Sequence, residues 1–211
     1  MTAARLSPYR VLFIDFDGVL RKWPDSDAEL ERSYGLPAGA LRDSAFERTL
    51  LHEVVTGCIS DEEWRERIAE FLSQKYPGAR VRDAVVAWSA DIGEVNEPVL
   101  KCVQRAAEQI KVILVTNGTS RLNRDLAALE LSEQFDAVVN SSVVGAAKPD
   151  REFYMAALQA AGTNATEALF VDDSVAHVAA ALELGMCAHH FNGIDGLSTF
   201  LQDNGVLHKT R

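Results

Sequence analysis

Four apolar residues, Val11 to Ile14, run directly into Asp15-Phe16-Asp17-Gly18-Val19. An apolar run of this length that stops at a glycine turn predicts a buried strand. Two carboxylates set one residue apart at its end are unusual, because ordinary strands end in neutral turn residues. In an open α/β sheet the C-terminal edge of the strands is where ligands bind. This stretch therefore predicts both a central strand and the place of a site.

The rest of the chain determines what kind of sheet that strand joins. Beyond residue 96 apolar runs alternate with helical periods. Val99, Val103, Ala106 and Ile110 mark a helix, and Val112 to Val115 a β-branched strand. Leu122, Leu126 and Leu129 mark the next helix, followed by a weaker strand at Ala137 to Val139. A helix capped near Asp150 precedes a strand at Leu169 to Val171, then a helix that Gly185 stops, then a last strand from Met186 to Phe191. Such alternation predicts an α/β fold with a Rossmann-like, doubly wound, mainly parallel sheet and helices on both faces.

Residues 21–96 read differently. Ala28–Tyr34, Ala40–Leu51, Asp61–Tyr76 and Ala79–Asp91 all carry helical patterns, and no strand is expected among them. Ser60 and Glu63 have capping-box spacing, and Trp64, Ile68, Phe71 and Leu72 form one apolar face. The expected organisation is a core from 1–20 and 97–211, interrupted by an all-helical cap at 21–96. An insert placed directly after the acidic turn is expected to act as a lid rather than as an inert extension.

Composition narrows the partners. The 211 residues carry a formal charge of −10, which disfavours nucleic acid and anionic membranes as main partners. No window approaches the roughly 20 apolar residues of a membrane span, and Met1–Arg10 lacks the apolar core of a signal peptide. Cys58, Cys102 and Cys187 lie far apart without a C-x-x-C pair, so they read as reduced packing residues of a cytoplasmic protein.

Each expected core strand is followed by polar residues. Asp15 and Asp17 follow the first, Thr116-Asn117-Gly118 the second, Lys148-Pro149 the loop after the third, and Asp172-Asp173 the fourth. Parallel strands would gather all of them at one edge. Two carboxylates about 4 Å apart repel by about 4 kcal/mol at an effective dielectric of 20, so four acids there need positive charge. Lys148 supplies one unit, and an oxygen-only ligand set favours Mg2+ for the remainder. Cation, lysine, hydroxyl and free backbone N–H groups together make a receptor for a phosphoryl group. Asp15 could then attack phosphorus while Asp17 protonates the leaving oxygen and later activates water.

Taken in order, these motifs resemble those of the haloacid dehalogenase superfamily, particularly its subclass with a helical cap after the first strand. The resemblance implies that Asp15 is nucleophile and metal ligand. It implies that Asp17 is acid/base and binds metal through its backbone carbonyl. Thr116, Asn117 and Gly118 would bind phosphate, and Lys148 would steady nucleophile and phosphate. Asp173 would be the direct ligand and Asp172 the holder of a metal-bound water. The family often has Asn or Asp where this chain has His177, which shares a helix face with Asp173.

The expected activity is a magnesium-dependent phosphatase acting on a small phosphorylated metabolite through an aspartyl-phosphate, with room for a homodimer. A phosphomutase and a haloacid dehalogenase share the fold. A dehalogenase needs no second acid, because halide leaves unprotonated. A non-catalytic binding protein should have lost a catalytic group, and only His177 departs from the pattern. Trp64 and Phe71 read as cap core, and Arg21, Lys22 and Trp23 as surface residues. His52 and Gly57-Cys58 are placed loosely on the side facing the site. His189-His190 would point to opposite faces of a strand, which argues against a joint metal site.

Overall fold

The computed structural model describes residues 7–24 and 27–208. The N-terminal stretch read above for a leader falls mostly outside them. Strand β1 (Val11–Ile14) leads to a two-residue strand β2 (Arg21–Lys22) and then to helices α1 (Asp27–Ser33), α2 (Ala40–Ala45), α3 (Arg48–Val55), α4 (Asp61–Lys75) and α5 (Val81–Ala90). A second short strand, β3 (Glu94–Val95), returns the chain to α6 (Glu97–Ala107), β4 (Lys111–Thr116), α7 (Leu122–Ala128), β5 (Ala137–Asn140) and α8 (Ser141–Val144). Helix α9 (Arg151–Ala161), β6 (Ala168–Asp172), α10 (Val175–Glu183), β7 (Cys187–His190) and α11 (Ile194–Asp203) complete it.

The five long strands form one parallel sheet in the order β5-β4-β1-β6-β7. This is the doubly wound α/β architecture that the alternation predicts. All four residues of β1 are buried, because β4 and β6 flank it and both faces are covered. Leu12, Ile14, Leu114 and Val171 face one apolar layer together with α6, α7 and α11. Val11, Phe13, Val115 and Phe170 face the other, with α9 and α10. The period-two alternation of each strand feeds these two layers.

Helices α1 to α5 pack around a separate apolar cluster, centred on Leu41, Ile68, Leu72 and Ala84, which Ala147 of the loop before α9 joins. Three acidic residues open α4 beside its N-terminal dipole and Lys75 closes it, while the Ser60 hydroxyl accepts the Glu63 N–H at 3.1 Å. The spacing predicts one helix over 40–51, but two form. The chain turns at Phe46, and the Glu47 carboxylate caps a fresh helix by accepting the N–H groups of Thr49 and Leu50. Phe71 is 54% exposed rather than part of this core, because the α4 residues that face inward are Trp64, Ile68 and Leu72.

Strands β2 and β3 were not expected. They pair antiparallel, Arg21 with Val95 and Lys22 with Glu94, so the chain leaves the five-stranded sheet and returns to it through one two-stranded ribbon. Two residues are too short a run for periodicity to register, and the pairing joins positions over seventy apart in sequence.

Candidate active site

Sheet register builds the centre of the site. Ile14 lies beside Leu114 on one side and Val171 on the other, so the next residues, Asp15 and Asp172, emerge side by side. Adjacent strands are about 4.8 Å apart, which makes the two carboxylates neighbours by construction. Asp15 is 6% exposed and Asp172 0%. The ammonium of Lys148, 4% exposed, lies 2.7 Å from Asp15 Oδ1 and 2.7 Å from Asp172 Oδ2, and it also donates to the Val115 carbonyl at 3.1 Å. A buried cation between two buried carboxylates satisfies charge that could not otherwise remain in the interior.

Asp173 completes the cluster. Asp15, Asp172 and Asp173 each offer a carboxylate oxygen within 4.8 Å of the others. Asp172 is committed to the protein: one oxygen accepts Lys148, and the other accepts the Ser174 N–H at 2.8 Å and His177 Nδ1 at 2.9 Å. His177 thus reaches Asp172 rather than Asp173, its partner at helical spacing. Gly18, at φ +84°, is required by the cluster as well as by the turn, because a Cβ there would stand 2.0 Å from Asp173 Oδ2. His190 lies at the rim, with Nε2 2.9 Å from the Asp173 carbonyl oxygen, while His189 stacks on Phe200 with ring centroids 4.9 Å apart. The alternation of β7 separates the two rings, as expected.

The electrostatics follow from burial. Burial pushes the Asp15 carboxyl up to about 7, with Asp172 adding to the rise and Lys148 opposing it. Burial also works against the Lys148 ammonium, but Asp15 and Asp172 together hold its pKa above the ordinary lysine value. For Asp172 burial is outweighed by the His177 and Lys148 hydrogen bonds, which hold it below the usual carboxylate range. Asp173 is raised, by burial first and by Asp172 second.

The remaining predicted residues divide into two groups. Thr116 ends β4 at the same edge and is 1% exposed. The Asn117 amide docks the Lys148 loop, donating to the Lys148 carbonyl and accepting its N–H, both at 2.8 Å. Gly118 passes within 3.1 Å, measured from where a Cβ would stand, of Asn140 Oδ1. Asp17 turns toward the β2–β3 ribbon. Its Oδ1 accepts Arg21 Nε at 2.7 Å and Trp23 Nε1 at 2.7 Å, and its Oδ2 accepts Arg21 Nη2 at 3.0 Å.

Several contacts were not read from the sequence. Arg21 is 6% exposed, not a surface residue, because Asp17 and Asp125 balance its charge; Lys22 and Trp23 are exposed. The i,i+4 spacing of Asp17 and Arg21 was a signal for that pair, though not for Asp125. Asp61, 3% exposed, accepts the Thr119 hydroxyl at 2.9 Å and pairs with Arg65, and its N–H donates to Ser120 Oγ at 2.9 Å. The first turn of α4 is thereby fastened to the loop after β4. A Cβ on Gly57 would stand 2.1 Å from the Ser142 carbonyl oxygen, so that loop rests on α8 beside the strand ends. His52 is exposed on α3. Cys102 is buried, but Cys58 is exposed rather than a packing residue.

A family profile described as haloacid dehalogenase-like hydrolase matches residues 9–185. The chain belongs to this family. As a haloacid dehalogenase-like hydrolase it is 29% identical, over 83% of its length and 83% of the relative's, to a phosphatase of Mycobacterium tuberculosis. It is 31% identical to Flavin mononucleotide hydrolase 1 of Arabidopsis thaliana over 48% of this chain, a match that spans only 41% of that protein. A family enzyme of Bacteroides thetaiotaomicron, solved in complex with magnesium and inorganic phosphate, superposes with a TM-score of 0.70 at 20% identity, covering 86% of this chain and 93% of that one. Among the described residues no helix is long and apolar enough to cross a membrane.

Proposed function

We propose that this hydrolase is a magnesium-dependent phosphatase that cleaves small phosphorylated metabolites, with residues 21–96 acting as a cap over the strand ends. The observation that carries the reading is the buried Asp15–Lys148–Asp172 arrangement beside the exposed Asp173, with a second acid two residues beyond Asp15. The clustered carboxylates offer only oxygen donors, which fits Mg2+. Asp15, Asp173 and the backbone carbonyl of Asp17 would hold the ion, with Asp172 braced by its three protein donors. When bound, the ion supplies positive charge to the oxygens of the phosphoryl group.

The residues divide the work. The Asp15 carboxylate attacks phosphorus, a P–O bond to Asp15 forms and the ester P–O bond breaks. The leaving oxygen takes its proton from Asp17. Water then attacks the phosphoryl group, Asp17 takes a proton from it, and inorganic phosphate leaves with Asp15 regenerated. The Lys148 ammonium aims Asp15 and opposes the rise of its pKa, which favours the attacking carboxylate, and it offsets charge on the phosphoryl oxygens. The Thr116 hydroxyl and the N–H groups of Asn117 and Gly118 receive the phosphate, while the Asn117 side chain keeps the Lys148 loop in register. A halide needs no proton on departure, so Asp17 favours phosphoester cleavage over dehalogenation.

The test is phosphate release from 4-nitrophenyl phosphate with magnesium and with EDTA. Turnover that needs magnesium and falls by about a thousandfold or more in Asp15→Asn is expected. Halide release from a 2-haloacid without phosphate release, or full activity in Asp15→Asn, overturns the reading.

A further inference from the structure

Asp17 is held by residues at the two-stranded β2–β3 ribbon, read here as the hinge between the sheet and the helical insert. The Arg21 guanidinium grips both Asp17 oxygens and lies between the rings of Phe16 and Trp23, 4.2 and 4.4 Å from their centroids. Its remaining nitrogen donates to Asp125 Oδ2 at 3.0 Å. Asp125 Oδ1 accepts Arg121 Nε at 2.7 Å, and Arg121 donates onward to the Ser89 carbonyl at 2.6 Å, where the helical insert ends. Gly93 crosses directly over Arg21: a Cβ there would stand 2.9 Å from Arg21 Cγ and 2.7 Å from the Lys22 carbonyl oxygen. Asp17, Arg21, Asp125 and Arg121 therefore form a chain of alternating charges running from the turn after β1, through the hinge, to the return of the insert. Apart from the Asp17 carboxylate its side chains are nearly buried, between 8% and 10% exposed.

We propose that Arg21 is a positioning residue that sets the placement of the Asp17 carboxylate and ties it to the seating of the cap. The proposal rests on the reading of Asp17 as acid/base. The physical argument is that a bidentate guanidinium fixes a carboxylate in direction as well as distance. The same side chain has little slack, because Asp125 and two aromatic rings enclose its guanidinium and Gly93 lies over its aliphatic stem. A shift of the return segment 89–95 must move Arg21 or break one of its bonds, and either event re-aims Asp17. By reciprocity of coupling, neutralising Asp17 must loosen the hinge.

Two measurements test this. Proton donation matters most when the leaving group is a poor one, so kcat/KM is compared for phenyl phosphate and 4-nitrophenyl phosphate. Arg21→Gln is expected to lose about 100-fold on phenyl phosphate and only a few-fold on 4-nitrophenyl phosphate, with part of the loss recovered in Arg21→Lys. In an Asp17→Asn background the Arg21→Gln change should add no further leaving-group bias. Equal loss on both substrates, the mark of a merely structural role, overturns the proposal. The second measurement does not need turnover: amide hydrogen exchange over residues 89–95 in the wild-type protein, Asp17→Asn and Arg21→Lys. Faster exchange in both variants is expected, and unchanged exchange in Asp17→Asn overturns the coupling. A wild-type protein inert toward phosphoesters would instead overturn the phosphatase reading, and the exchange result would still decide the link between Asp17 and the hinge.

Discussion

Replacing Lys148 by methionine isolates what the buried cation does. The ammonium is the charge between Asp15 and Asp172, 2.7 Å from each. Without it, two carboxylates with oxygens within 4.8 Å face each other in the interior. At that separation and an effective dielectric of 20 their repulsion is about 3.5 kcal/mol. Breaking a buried pair by removing one partner destabilises by about 3–5 kcal/mol, which agrees in size. The sign of the pH dependence follows from Asp15, already raised to about 7 with the lysine opposing the rise. Loss of that opposition raises it further. A carboxyl whose folded pKa is raised contributes stability below its unfolded pKa and loses it as pH rises through the folded value. Lys148→Met should therefore be about 3–5 kcal/mol less stable than the parent near pH 8 in EDTA, and that gap should shrink by about 1–2 kcal/mol near pH 5, where a proton replaces the lysine. Urea unfolding at the two pH values measures both numbers. If Lys148→Met does not fold, Lys148→Met with Asp172→Asn removes the second charge and should restore much of the loss. An equal loss at both pH values would refute the electrostatic account and leave only lost packing.

Other expectations follow from the same geometry. Gly18→Ala places a Cβ on the Asp173 carboxylate at a positive φ, so magnesium affinity by calorimetry should fall about 10–100-fold, while Gly78→Ala, in open space, should leave it unchanged. Because Asp15 is raised to about 7 and magnesium must displace its proton, affinity should weaken by about tenfold per pH unit below that value. Calorimetry in buffers of different ionisation enthalpy should show the released proton. Asp61→Asn keeps shape but removes the charge that Arg65 and Thr119 share, so the melting temperature should drop by several degrees, for a loss of about 2 kcal/mol. An unchanged melting temperature would mean that α4 is not fastened to the loop after β4 through this carboxylate.

Lys148, in the loop after α8, was legible only through the Lys148-Pro149 pair and its place in the order of motifs. The aspartates and the turn glycine were legible because they sit at or just past the end of an apolar run, and a strand end is a local event. The helices of the insert were legible for the same reason, since periodicity and capping at Ser60 act within a few residues. The break at Phe46 was not, because Glu47 reads as one more surface acid until its carboxylate is seen capping the N–H groups of Thr49 and Leu50. Phe71 and Trp64 share a helix and a residue class, yet only Trp64 points into the insert's core.

By itself the sequence determined the alternation that makes a parallel sheet, the positions where polar residues interrupt it, and so the residues that meet at its C-terminal edge. Hydrophobic periodicity is written along the chain and needs no partner to be read. The tertiary structure decided which of those residues face one another. Register set Asp15 beside Asp172, and Lys148 came between them from a loop 133 residues away from Asp15. It also buried Arg21, a residue that looks solvent-facing in sequence, because Asp17 and Asp125 reach its charge from two separate elements. Charge pairing across the fold depends on distances in space, and those exist only once the sheet has formed.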